Sequence, residues 1–263
     1  MFDYETIQLA KGVLRIYKKG DLDLICYETK DPIDDQVILF KNKDTLISIE
    51  APLFKENVNE LNEYVNQLHV KNVYILLDDH VATKDYLPQA KLITTKETLN
   101  TLKNGGPKAL FNGFVQTFAG QIQNELREDY EIVENHLNFG SLTLNLVQKG
   151  EEFDVIIPDF KAVYTHMLGH DVHSIIVGET HANLLLQTLK DYITKGYQII
   201  LTSHYIPETI QDVQTKIEYI QTILRFVHEN KTKEEFLKAV QQTYTNYSGL
   251  NYLEMTTSAF YPQ

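Results

Sequence analysis

Between Gly12 and Glu50 the apolar residues fall in short runs: Val13-Leu14-Arg15-Ile16-Tyr17, Leu22-Asp23-Leu24-Ile25-Cys26-Tyr27, Val37-Ile38-Leu39-Phe40 and Leu46-Ile47-Ser48-Ile49. Runs this short, rich in β-branched and aromatic residues, predict strands. Lys18-Lys19-Gly20-Asp21 and Lys30-Asp31-Pro32-Ile33-Asp34-Asp35 supply turns, and Asn42-Lys43-Asp44 a tight hairpin. The chain therefore opens as an antiparallel meander.

After Pro52 the period changes. Leu61, Tyr64, Val65 and Leu68 lie at helical spacing within 59–68, and the apolar strand Val73-Tyr74-Ile75-Leu76-Leu77 follows. Lys91-Leu92-Ile93-Thr94-Thr95 reads as another strand, leading into a short helix from Lys96 to Leu102. Such a βαβα tract adds strands by crossover connections. Asn104-Gly105-Gly106-Pro107 then punctuates the chain ahead of a weakly patterned middle, where Gln121 to Asp129 has helical character.

Strand character resumes at Leu142-Thr143-Leu144-Asn145-Leu146-Val147 and Phe153-Asp154-Val155-Ile156-Ile157, around a Lys149-Gly150 turn. Leu185, Leu186, Leu189 and Ile193 form the apolar stripe of a helix from Ala182 to Ile193, and Ile199-Ile200-Leu201 is a buried strand. A helix runs from after Pro207 to Glu229, and another to Tyr244 from the capping box Thr232-Lys233-Glu234-Glu235. The chain has no linker long enough to separate one domain from another. The expectation is one domain over 1–263, built of two αβ halves (about 1–105 and 140–263) with a middle insertion, 106–139.

Composition narrows the function classes. The 263 residues carry a formal net charge of −12 with no cluster of Lys or Arg, which argues against a nucleic acid or an anionic membrane as partner. The single cysteine, Cys26, lies in an apolar run and reads as a small buried thiol. Acidic residues at Asp3 and Glu5 and the lack of a long apolar run predict a soluble, cytoplasmic protein.

The candidate chemistry lies in histidines at strand ends. Asp78 and His80 follow the strand ending at Leu77; in an extended segment they would project to one side and offer a carboxylate and an imidazole to a divalent metal. The structural alternative is a cap by Asp78 or Asp79 beside an exposed His80. Val163-Tyr164-Thr165-His166 leads into Gly169-His170-Asp171-Val172-His173-Ser174. His166, His170 and His173 would share one helix face, but Gly169 and the apolar run favour a strand and loop, where they need not converge. His204 ends Ile200-Leu201-Thr202-Ser203, whose hydroxyls are placed to orient its ring.

The order of these elements, from about Val13 to Arg225, resembles the metallo-β-lactamase-fold hydrolases. That family ends the strand after its first helix in Thr-His-x-His-x-Asp-His; here Leu77, Asp78, His80, Ala82 and Thr83 occupy those five positions. Its Gly-His-Thr-Pro-Gly-Ser is matched by Gly169 to Ser174, with Gly, His and Ser retained, and its final histidine by His204. Its bridging Asp has no match, Gly178-Glu179 being the nearest.

The resemblance implies an α/β fold, a four-layer αββα sandwich with two mixed sheets face to face and helices outside. It implies one divalent metal, zinc first and iron or manganese next, held by Asp78, His80 and His170, with His204 left from the second position. His204 or His173 would act as base or oxyanion donor, with Asp171 and Glu179 as further bases, on a small ester, thioester or lactone. The alternative is an inactive member serving as a binding or sensing module. The aromatic segment Phe111 to Phe118 suits a pocket wall, core or an association surface, and a homodimer is compatible with it.

Overall fold

The computed structural model describes residues 3–167 and 169–262. It comprises two compact units, Met1–Met167 with Leu201–Pro207, and Leu168–Ile200 with Glu208–Gln263.

In the first unit the meander is β1 (Tyr4–Gln8), β2 (Val13–Lys19), β3 (Leu22–Glu28), β4 (Gln36–Asn42) and β5 (Thr45–Ile49), each antiparallel to the next. The hairpin between β4 and β5 turns at Lys43, φ 54°. Helix α1 (Lys55–Gln67) then carries the chain across to β6 (Asn72–Leu76), parallel to β5. Parallel pairing continues through β7 (Lys91–Thr94) to the two-residue β8 (Glu131–Ile132), so eight strands lie in chain order.

The strand alternation sorts this sheet into two faces. Leu14, Ile25, Leu39, Leu46, Ile75 and Leu92 project to one side and bury Val58, Leu61 and Val65 of α1. Leu102 of α2 (Lys96–Asn104) joins the same cluster. A second sheet meets the other side. Its strands are β9 (His136–Phe139), β10 (Leu142–Lys149), β11 (Glu152–Ile157), β12 (Ala162–Thr165) and β13 (Ile199–Thr202), in the order β13-β12-β11-β10-β9. The Phe40 and Phe160 rings lie 6.1 Å apart between the sheets, and Asn42 Nδ2 donates to the Phe139 carbonyl at 2.5 Å.

The middle of the chain departs from the sequence reading. Helix α3 occupies Gly106–Thr117, with Pro107 in its first turn, where its fixed φ suits the helix and its missing N–H costs nothing. The helix expected at Gln121 to Asp129 is instead an irregular strap. It bridges Phe54 to Ile122 and Thr83 to Leu126, and Lys84 and Arg127 donate backbone bonds to Glu125 and Ala82. Backbone groups so committed to neighbouring loops cannot close helical turns, and these contacts outweigh local propensity.

The second unit contains the helices α4 (Glu179–Lys195), α5 (Ile210–Glu229), α6 (Lys233–Thr243) and α7 (Leu250–Phe260). The Thr232–Glu235 capping box is present on α6, and a Thr209–Asp212 box starts α5. Cys26 is fully buried, and burial raises its thiol pKa well above the ordinary range. Among the described residues no helix is long and apolar enough to cross a membrane.

Leu61 has no exposed surface, whereas Leu110 of α3 is 61% exposed. Leu61→Ala should therefore lower unfolding free energy by about 2–5 kcal/mol, and Leu110→Ala by no more than about 0.5 kcal/mol. Urea midpoints of the two variants check this.

Candidate metal centre

Three histidines of the first unit converge, each just past a strand: His80 after β6, His166 directly after β12, and His204 two residues after β13. Each offers a ligand nitrogen, and these atoms lie within 4.8 Å of one another. His204 Nε2 is 2.9 Å from His166 Nε2 and 3.4 Å from His80 Nε2.

Two of the rings have a carboxylate at the other edge. His166 Nδ1 is 3.2 Å from Asp79 Oδ2, and His204 Nδ1 is 3.2 Å from Asp35 Oδ1. His80 Nδ1 is buried with no hydrogen-bond partner. Burial holds the His80 pKa down to about 4, against the pull of Asp35 and with His204 and His166 opposing its charge. At His166 burial also works downward, but the Asp79 carboxylate overrides it and the pKa rises. Asp79 is the converse: burial pushes it up, and His166 brings it below the usual carboxylate range.

Glu50 sets the backbone beneath. Fully buried at the end of β5 and held at φ 63°, it accepts the N–H groups of Asp78, Asp79 and His80 at 3.2, 3.0 and 3.0 Å. Its Oε1 also accepts the Tyr164 hydroxyl at 3.0 Å, whose oxygen in turn lies 2.5 Å from Ser203 Oγ. One carboxylate thus braces the loop of His80, the strand leading to His166 and the residue before His204. Burial raises its pKa to about 7, with the Asp79 charge adding and the Asp79 N–H opposing.

The donor set fits a divalent cation. If Nδ1 of His166 and His204 keep their protons for Asp79 and Asp35, both Nε2 atoms present lone pairs to one another at 2.9 Å, an arrangement that a cation or a shared proton must relieve. Carboxylates behind imidazoles are the usual outer support of metal-binding histidines. Zinc–nitrogen bonds of about 2.0–2.1 Å separate tetrahedral ligand nitrogens by roughly 3.3–3.4 Å, as His80 and His204 are at 3.4 Å, whereas His166 and His204, at 2.9 Å, would move apart slightly. Three imidazoles suit zinc, copper, iron or nickel better than calcium or magnesium.

The residues singled out by sequence are distributed as follows. His80 and His204 are in the cluster, joined by His166, whose signal was the strand-end pattern it shares with His204. Asp78 is not in it: its Oδ1 accepts the Phe153 N–H at 3.0 Å, and burial, with the charges of Asp79 and Glu50, raises its pKa. The reason is the turn around Glu50. Three consecutive N–H groups reach one carboxylate only if the backbone is bent, so the strand alternation stops at Leu76 and Asp79 faces His166.

His170 lies in the second unit, where Glu208 Oε1 is 2.8 Å from its Nδ1 and 2.6 Å from its backbone N, and Asp212 Oδ1 is 3.7 Å from its Nε2. His173, in the same unit, is fully buried with Nδ1 3.0 Å from the Tyr219 hydroxyl. Glu179 pairs with His228 at 2.8 Å. Ala82 and Thr83 are buried. Glu50, Asp35 and Asp79 escaped the sequence reading, because nothing in their spacing marks a carboxylate that acts on another segment's backbone or ring.

Compared by sequence, the chain matches no protein-family model and no curated protein. Compared by structure, it is similar to the stereoselective inverting sec-alkylsulfatase Pisa1 from Pseudomonas sp., at 12% identity and a TM-score of 0.63 over 94% of this chain and 49% of that one. It is also similar to a metallo-β-lactamase from Pontibacter korlensis, at 12% identity and a TM-score of 0.47 over 83% of this chain and 99% of that one. The chain has the metallo-β-lactamase fold. It spans about half the length of the alkylsulfatase. At 12% identity the likeness to the alkylsulfatase establishes the fold alone, and the fold leaves activity to be argued from the residues.

Glu50→Ala would strand the three N–H groups and leave the Tyr164 hydroxyl with Ser203 alone, with an expected loss of about 3 kcal/mol or more; Glu50→Gln, which keeps an acceptor, should lose less. Equal urea midpoints for Glu50→Ala and the parent would contradict this. Burial lowers the His173 pKa from 6.5 to about 4, with the Lys216 charge adding. In that window only the unfolded chain takes the proton, so stability falls as pH drops from 6.5 toward 4. His173→Gln should flatten that part of the stability–pH curve.

Proposed function

We propose that this chain is a metal-dependent hydrolase of the metallo-β-lactamase fold, acting at a one-metal site on a small ester, thioester or lactone. The observation that carries the reading is the convergence of three imidazole Nε2 atoms, two of them backed at Nδ1 by carboxylates. His80, His166 and His204 would hold the ion, which when bound lowers the pKa of a water toward about 7. Asp79 and Asp35, with oxygens 3.2 Å from Nδ1 of His166 and His204, place two negative charges behind the three imidazoles. Glu50 fixes the spacing of the loops, and His166 is the most exposed of the three histidines.

A second reading, a binding or sensing module without catalysis, draws on Ala82 and Thr83. They stand where the resemblance calls for an Asp and a His, and neither an alanine nor the buried Thr83 hydroxyl, which has no hydrogen-bond partner, replaces an anion and an imidazole.

Protein purified without a histidine tag should take up one zinc, iron or manganese per chain and gain thermal stability with it. Loss of binding in His166→Ala, a roughly 10–100-fold weakening in Asp79→Asn and retention in His170→Ala would assign the ion to the three-histidine set. Metal that survives His166→Ala but not His170→Ala would assign it elsewhere, and an absence of stoichiometric metal would remove the hydrolytic mechanism.

A further inference from the structure

His166 and His204 are each followed, four residues along the chain, by one member of a bonded pair, His170 and Glu208. Glu208 is buried, and its Oε1 accepts the His170 backbone N–H at 2.6 Å and lies 2.8 Å from His170 Nδ1. One carboxylate oxygen thus ties together the continuations of two histidine-bearing segments.

The main chain of Glu208 makes a second closure. Its N–H donates to the Ile200 carbonyl at 2.8 Å, and its carbonyl accepts the Ile200 N–H at 2.9 Å. Residues 200–208 are therefore a loop closed at its base, with His204 as the middle residue. Inside that loop Thr202 Oγ1 donates to the Tyr205 carbonyl at 3.2 Å, and Pro207 fixes one φ. A short loop closed in this way leaves its central residue few conformations to lose when it takes a ligand.

The segment after His166 is fastened by α5 as well. Lys216 is buried, and its Nζ donates to the carbonyls of Gly169 at 2.6 Å and Val172 at 2.8 Å, oxygens that stand in for the water its ammonium has lost. His166 accordingly lies between β12, paired to β11, and an anchor that begins three residues later. His204 lies between β13 and the Glu208 closure. The bonds of the anchor are all within the second unit, and they reach the two imidazoles along the chain.

From this placement we infer that Glu208 is a positioning residue of the metal centre, its side chain and main chain together fixing the far ends of the segments that carry His166 and His204. This rests on the reading of the three histidines as a metal centre. Glu50 braces the same two segments from the strand side through Tyr164 and Ser203, so each histidine is held at both ends. Ligands held in place before the ion arrives cost less to order on binding, and affinity rises accordingly.

The test titrates cobalt(II) into the tag-free protein and its variants, read by the visible absorption of the bound ion. Glu208→Leu should weaken cobalt binding about tenfold, the lower end of what the outer supports of metal ligands contribute. Glu208→Gln keeps a carbonyl oxygen for the His170 N–H and should restore most of that loss, and His170→Ala, which keeps the backbone bond, should bind as the parent does. Val240→Ala, at a buried position on α6, is the control that lowers the melting temperature without moving the affinity. Should Glu208→Leu fail to fold, Lys216→Met, which releases the Gly169 and Val172 carbonyls, carries the same expectation. In metal-free protein the nitrogen-15 ring signals of His166 and His204 should shift in the Glu208 or Lys216 variant and stay in place in Val240→Ala. Parent-like cobalt affinity in that variant, or an equal loss in Val240→Ala, would overturn the inference and leave the metal centre standing. A parent protein that takes up no cobalt removes the metal centre instead; the metal-free ring signals then decide the positioning role, which stands if they shift and falls if they do not.

Discussion

A carboxylate removed from water costs several kcal/mol unless hydrogen bonds replace the lost hydration. Glu50 is supplied with four: three consecutive backbone N–H groups, from Asp78 to His80, and the Tyr164 hydroxyl. The same bonds that make its burial tolerable bend the chain after β6, set the end of β12 and, through Tyr164, reach Ser203 beside His204. The three histidines come from segments separated by 86 and 38 positions, His80 to His166 and His166 to His204, and this one side chain couples their backbones. The left-handed φ of 63° at Glu50 is a local strain of the kind that persists only where the surroundings over-determine it.

A division of labour follows. The sheets supply rigid strand ends, Glu50 fixes the spacing of the loops, and Asp35 and Asp79 orient two of the rings. Because two of the imidazoles are backed by anions and their Nε2 atoms lie 2.9 Å apart, the cluster is costly without an electrophile or a shared proton between its nitrogens. Helix α3, by contrast, is anchored by Phe111 and, in part, by Phe114, Val115 and Phe118, packed with Phe54, Val81 and Ile122.

Much of the fold was legible because the binary pattern and the burial agree. The alternation in β2 to β5 became a register in which Leu14 opposes Tyr27, and Ile25 opposes Leu39, on the helix-covered face. The capping box at Thr232 marked a true helix start. The strap at Gln121 to Asp129 was not legible, since its structure comes from backbone bonds to loops distant in sequence. Nor was α3 assigned, although Phe111, Phe114, Val115 and Phe118 recur at helical spacing and pack in one cluster, because the run read equally as pocket wall, core or association surface. Of the site, His80 and His204 could be found from strand-end position alone. His166 carried the same signal but stood beside two further histidines that drew attention away, and Asp79 could not be told from Asp78 without the turn that Glu50 imposes.

The most direct test is a zinc titration of imidazole-labelled protein, followed by the nitrogen-15 resonances of the histidine rings. The Nε2 signals of His80, His166 and His204 should move together and saturate at one equivalent, with Nδ1 of His166 and His204 remaining protonated. Movement of His170 in their place, or no saturable change in the three, would contradict the assignment of the metal centre.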